Sequence, residues 1–372
     1  MLLFVNVAQT LGLVGSMTSP DERMVCSAKT SKERVRVRLE ACCRVENGVA
    51  QSLLATSKHQ RRGSAGAMSR HLRCERMFMP SVLAPGTHSI AVNGVVQHYH
   101  VSGMGPYCIA HAGGPGIDAS YLRLPLLEES LTMVYLDPIG TGSSGRLATH
   151  PQGYSVDRFS EQLLAFIDAA GIPEPYLLGH SHGAFVVLEA ALKRPGGLKG
   201  LIVYAGAAYT GGAFMADASA EIAAFVARHA GTAEAKAVER AWASIPTIRT
   251  DAAYTAALRD LLPAYMSDFR RWPDMLATLQ RRLQATLLVG DGQVFDVRDR
   301  LATVQVPALV VTGTDDFILG PRHAALLADL LPQAQMRIFE QSGHFAHIEE
   351  ACAFAEAVLR FTGRPGRALS GI

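Results

Sequence analysis

The sequence predicts an α/β fold: a mostly parallel sheet with helices on both faces and a helical cap inserted between two of its strands. Three observations lead there. From about residue 87 onward, short apolar runs alternate with stretches of helical spacing. Those runs show little polar alternation, as strands buried on both faces do. Between about 211 and 300 the alternation gives way to Ala-rich helical sequence.

Taken in order, His88 to Ser102 alternates around Asn93-Gly94, a dipeptide that tolerates the left-handed conformations of a tight hairpin. Tyr107 to Ala110 is an apolar run ending at a glycine-rich turn, and Thr132 to Leu136 is another, ending at Asp137. Val156 to Ala170 has helical spacing, and Tyr176 to Leu178 is the next apolar run. Ala184 to Lys193 reads as a helix stopped by Pro195-Gly196-Gly197. Leu201 to Tyr204, Ala308 to Val311 and Met336 to Phe339 complete the strand series. The insertion carries aromatics at Phe214, Phe225, Trp242, Tyr254, Tyr265 and beyond, most of them expected as its own core. Placed above the carboxyl ends of parallel strands, it would cover the edge where such sheets bind ligands. The expected organisation is an extension (1–80), a first core part (81–210), the cap (211–300) and a second core part (301–372).

Composition narrows the function. Of 372 residues 49% are hydrophobic and 18% charged, which describes a chain with a sizeable core. A net charge of +2 lacks the basic excess of a nucleic-acid binder. That charge is uneven: residues 1–80 hold thirteen Lys/Arg against six Asp/Glu, and the remainder is net acidic. The basic segment also lacks periodicity. It reads as an upstream start, with Met68, Met77 or Met79 as alternatives, or as a targeting segment resembling a transit peptide. Residues 1–67 are expected to be dispensable. The adjacent Cys42-Cys43 has no Cys/His pair at metal-finger spacing beside it. No apolar run reaches the roughly 18–20 residues of a membrane span. Cys108 and Cys352 alone remain in the main body, which suits a reducing compartment, and a cytoplasmic location is expected. No metal and no cofactor is expected, nor any nucleic-acid or membrane partner. The pattern is silent on oligomeric state.

Chemistry enters at Gly179-His180-Ser181-His182-Gly183, which fits G-x-S-x-G between an expected strand and an expected helix. A tight turn there needs the glycines and leaves the serine hydroxyl exposed at a helix N-terminus. The five residues alone are a weak signal, and the strand-to-helix setting gives them weight. A serine nucleophile needs a base, and the base an orienting carboxylate. Asp315 and Asp316 follow the Ala308–Val311 run, and His344 follows the last strand. The order Ser181, acid, His344 is that of an α/β-hydrolase. Gly113-Gly114-Pro115-Gly116 follows the Tyr107–Ala110 run, where glycines let backbone N–H groups face an oxyanion. The residue after the nucleophile, His182, would supply the second N–H.

On these residues the body from about Thr87 to Thr362 resembles the α/β-hydrolase superfamily, and within it the proline iminopeptidase branch. That branch carries His-Gly-Gly-Pro-Gly at the oxyanion turn and Asp-Gln-Arg-Gly-x-Gly-x-Ser after the next strand. Here the counterparts are Ala112 to Gly116 and Asp137 to Ser144. The resemblance implies Asp316 as the acid, with Asp315 as fallback, and Gly114 as the first oxyanion donor, with Gly113 second. The chain departs from the branch at Ala112, Pro138, Ile139 and His182. Its nearest match to the branch's cap motif Trp-x-x-Trp-Glu is Trp242-Ala243-Ser244-Ile245-Pro246, without the glutamate that binds a free amino terminus.

The resulting expectation is a serine hydrolase cleaving a small ester, amide or lactone through Ser181, His344 and Asp316, with Gly114 and His182 at the oxyanion. The alternatives are a proline iminopeptidase acting on short peptides and a non-catalytic ligand receptor of the same fold. Asp137 is expected to bond the turn after it, and His347 to be a solvated or structural loop histidine.

Overall fold

The computed structural model describes residues 82–364, and the expectations placed on residues 1–80 lie outside them. Eight strands form one sheet in the order β1-β2-β4-β3-β5-β6-β7-β8. β1 (Gly86–Val92) and β2 (Val95–Gly103) form the expected hairpin. Asn93 and Gly94 turn it at φ 50° and 76°, the positive pair that such a turn requires. β2 then pairs antiparallel with β4 (Thr132–Leu136). Every later pairing is parallel: β3 (Tyr107–His111), β5 (Tyr176–His180), β6 (Gly200–Tyr204), β7 (Ala308–Gly313) and β8 (Ala334–Phe339). β6 and β7 are buried at every residue, which is why they read as unbroken apolar runs. β1 alternates and β8 keeps exposed positions, as edge strands do.

The helix Val156–Ala170 begins where Ser155 Oγ accepts the Arg158 N–H and ends at Gly171 in the left-handed region. The next helix, His182–Lys193, starts two residues before the apolar spacing suggested, because Ser181 leads into it without a linker. Between β6 and β7 run four helices, Gly212–Arg228, Ala233–Ser244, Asp251–Tyr265 and Pro273–Arg282. Helix then stops. Residues 283–300, expected as part of the helical insertion, instead cross the body as irregular chain with single bridges Ile117↔Ala285, Gln152↔Val289 and Tyr209↔Asp296. Gly290 and Gly292 interrupt any helix there, and Leu287 and Leu288 go into the core. The insertion meets the loops at the strand ends: Tyr254 donates to Pro115 O at 2.9 Å, and His344 N–H to Tyr265 O at 2.7 Å. No helix of the described residues is long and apolar enough to cross a membrane.

Candidate active site

β5 ends at His180 and the following helix begins at His182, so Ser181 alone makes the turn, at φ 57° and ψ −119°. A non-glycine residue at positive φ is strained and persists only where its surroundings hold it. Ser181 N–H donates to Tyr204 O and Ser181 O accepts from Ala184 N–H, both at 2.9 Å. The motif glycines are there for want of room. A Cβ on Gly179 would stand 2.2 Å from Gly183 O, and one on Gly183 would stand 2.3 Å from His111 O.

The loops after β7 and β8 close on one another at Gly313, where a Cβ would come within 2.2 Å of Ser342 O. This approach brings Asp316 to His344, with Nδ1 and Oδ2 2.7 Å apart and both side chains buried. The other oxygen of Asp316 accepts from Ile318 N–H at 3.1 Å and Leu319 N–H at 3.0 Å. Burial opposes the charge on Asp316, but the adjacent His344 and these two amides outweigh it and hold the carboxyl below its usual range. Asp315, the fallback, is exposed.

The turn after β3 brings Gly113 against Ser181: a Cβ on Gly113 would stand 2.9 Å from Ser181 Cβ. Gly113 N–H is committed to the Tyr121 hydroxyl at 2.8 Å. Gly114 follows at φ 118°, a conformation that glycine alone adopts readily. His182 is the first helical residue, where backbone N–H groups have no partner within the helix and the helix dipole favours a negative charge.

A buried polar network lies alongside. His180 Nε2 faces His344 O at 3.0 Å, and a carbonyl can only accept, so this nitrogen carries the proton. Nδ1 is therefore an acceptor, and Tyr121 donates its O–H to it at 2.6 Å while accepting from Gly113 N–H. His347 Nε2 faces Tyr121 O at 3.1 Å, and its Nδ1 faces the Tyr204 hydroxyl at 3.0 Å. Burial holds both rings neutral; it pushes His347 down to about 4, and His180 well below its usual value with the help of His344 and His347.

His347 is thus a buried structural residue and not a solvated one. Asp137 does bond the turn after it, its carboxylate accepting from Ser143 N–H at 3.4 Å; it also accepts from Ala119 N–H at 3.1 Å and lies 2.9 Å from His98 Nδ1. Trp242 Nε1 donates to Ser219 Oγ at 3.2 Å and its ring packs edge-on against Phe317. Sequence reasoning missed Tyr121, Tyr204 and Tyr265, whose ring lies 5.0 Å from that of His344. No spacing in a single sequence ties these tyrosines to the motifs.

The family described as alpha/beta hydrolase fold matches residues 109–351. A 2-hydroxymuconate semialdehyde hydrolase from Pseudomonas sp. (strain CF600) is 27% identical over 72% of this chain and 91% of its own length. A putative carbamate hydrolase, RutD, from Stutzerimonas stutzeri (strain A1501) is 26% identical over 71% of this chain and 95% of its own. Among solved structures, VinJ superposes with a TM-score of 0.59 at 23% identity, covering 75% of this chain and 98% of VinJ.

Proposed function

Because the chain belongs to the α/β-hydrolase fold family, we propose that it is a serine hydrolase cleaving a small ester, amide or lactone through Ser181, His344 and Asp316. The observation that carries this reading is the 2.7 Å hydrogen bond between His344 and the buried Asp316. An ionised carboxylate only accepts, so His344 Nδ1 holds the proton and Nε2 keeps its lone pair. In this mechanism Ser181 Oγ attacks the substrate carbonyl while its proton passes to His344 Nε2. Gly114 and His182 N–H groups hold the oxyanion. His344 then protonates the leaving group, and water, activated by the same nitrogen, hydrolyses the acyl-enzyme. The relatives named for a muconate semialdehyde and a carbamate support a small-molecule substrate.

The test is covalent labelling by a fluorophosphonate, which also separates an enzyme from a non-catalytic receptor. Ser181→Ala is expected to abolish labelling and lower turnover by about 10⁴–10⁶-fold. Asp316→Asn is expected to cost far more activity than Asp315→Asn. Labelling of the Ala variant at the wild-type rate would remove Ser181 from its role, and equal losses at the two aspartates would reassign the acid.

A second reading, proline iminopeptidase, is favoured by the Gly113-Gly114-Pro115-Gly116 turn. Selecting a free amino terminus in a desolvated pocket requires a paired carboxylate. The cap segment at Trp242 carries none at the matching position. Short acyl esters or lactones are therefore expected to show higher kcat/KM than prolyl-arylamide. Prolyl-arylamide preferred at least about tenfold, with cleavage lost on N-acetylation, would establish the peptidase instead.

A further inference from the structure

A cavity of about 320 Å³ opens beside the proposed reaction centre, lined by His182, whose N–H is one proposed oxyanion donor, and by Pro115, which follows the other, Gly114. A substrate whose carbonyl oxygen faces those donors extends one of its substituents into this space. The floor is His182, Tyr154, Phe295 and Glu189, all buried. His182 and Glu189 lie seven residues apart on one helix and so share a face. The His182 ring packs edge-on against Phe159 at 5.3 Å and Phe185 at 6.1 Å. Among the described residues no side chain or backbone group hydrogen-bonds that ring, although the residue is only 4% exposed. It is a buried polar group whose open side is the cavity.

The charges around it are already matched. Glu189 takes both Arg300 nitrogens, at 3.1 and 2.7 Å, leaving neither a free buried carboxylate for a cation nor a free guanidinium for an anion. Asp157 pairs with Lys193 at 2.5 Å and Asp296 with Arg298 at 2.6 Å. Asp291, in the same rim, is exposed and accepts from Gln293 N–H. With Arg300 already taken by Glu189, a substrate carboxylate entering the cavity finds no free cation among the described residues that line it and meets the exposed Asp291 at its rim. Burial keeps the His182 ring well below its usual pKa, hence neutral, with one donor and one acceptor nitrogen.

We propose that this cavity is the acyl subsite and that it takes a short acyl group bearing an uncharged hydroxyl, with the His182 ring as the hydrogen-bond partner. The proposal rests on the serine-hydrolase reading for its orientation. An apolar acyl group leaves the ring unmatched, and an anionic one finds no free cation to pair with.

Aryl esters of 3-hydroxybutyrate, butyrate and succinate (as the hemiester) test it. The hydroxylated ester is expected to exceed butyrate about tenfold in kcat/KM, mostly through KM, with the hemisuccinate poorest. His182→Leu keeps the backbone N–H and is expected to bring the hydroxybutyrate-to-butyrate ratio to about one. Calorimetric titration of Ser181→Ala protein with the same esters reads the subsite without turnover, and the same ranking of affinities is expected. Hemisuccinate preferred, or a ratio unchanged in His182→Leu, would overturn the subsite. Absence of both labelling and turnover, with the ranking of affinities intact, would overturn the hydrolase reading and leave the subsite standing.

Discussion

The Tyr121 hydroxyl stands between the Gly113 amide, 2.8 Å away, and His180 Nδ1, 2.6 Å away, and has one proton to give. It thereby joins the turn proposed to hold the oxyanion to a ring that supports the His344 carbonyl. Removing it in Tyr121→Phe leaves a donor and an acceptor unmatched in buried surroundings, at a cost of about 1–3 kcal/mol each. The expected result is a lower melting temperature and a kcat reduced roughly 10- to 100-fold, with fluorophosphonate labelling slowed but retained. Labelling and melting at wild-type values would show the network to be dispensable. Ser181, Asp316 and His344 could be picked out in the sequence because each follows an apolar run and their order has meaning. Tyr121 could not. It lies in a short 3₁₀ turn, Ala119–Leu122, 59 residues before its partner His180, and only the folded chain joins them.

At the scale of elements, the strand-turn-helix from β5 is built on contacts between backbones. Gly183 packs so closely under the β3 loop that an added methyl would stand 2.3 Å from His111 O and 2.7 Å from Ala112 O. Neither is the end of a flexible side chain, so the helix or the loop must shift. Gly183→Ala is expected to destabilise by at least about 1–3 kcal/mol and to displace the Ser181 turn. Gly196→Ala, with no atom within 4 Å of its added Cβ, is the control and should melt within about 2 °C of wild type. Equal melting of the two variants would show that the loop yields freely. Strands buried on both faces were legible because their apolar runs are uninterrupted. The chain from 283 to 300 was not, since it is held by contacts with Gly116, Pro151 and Ala208 that lie far away in sequence.

At the scale of the molecule, Glu349 is a tie between the inserted helices and the loop that carries His344. Its two oxygens accept from Ser267 N–H and Gly343 N–H, each at 2.8 Å. Nothing in the sequence marks it, because its role depends on the insertion meeting the loop after β8. Burial raises its carboxyl to about 7, only partly opposed by those two amides. The folded protein therefore keeps a proton on Glu349 at pH values where the unfolded chain, near 4.5, has released it. This contribution to stability is fully present below the unfolded value and is lost as pH rises through about 7. Glu349→Gln stays uncharged throughout and escapes that loss. Its melting temperature relative to wild type is expected to rise from about pH 5 and to level off above about pH 7. A difference that is flat with pH would place the proton elsewhere, and one that falls would mean the ionised carboxylate is the form that holds the two amides best.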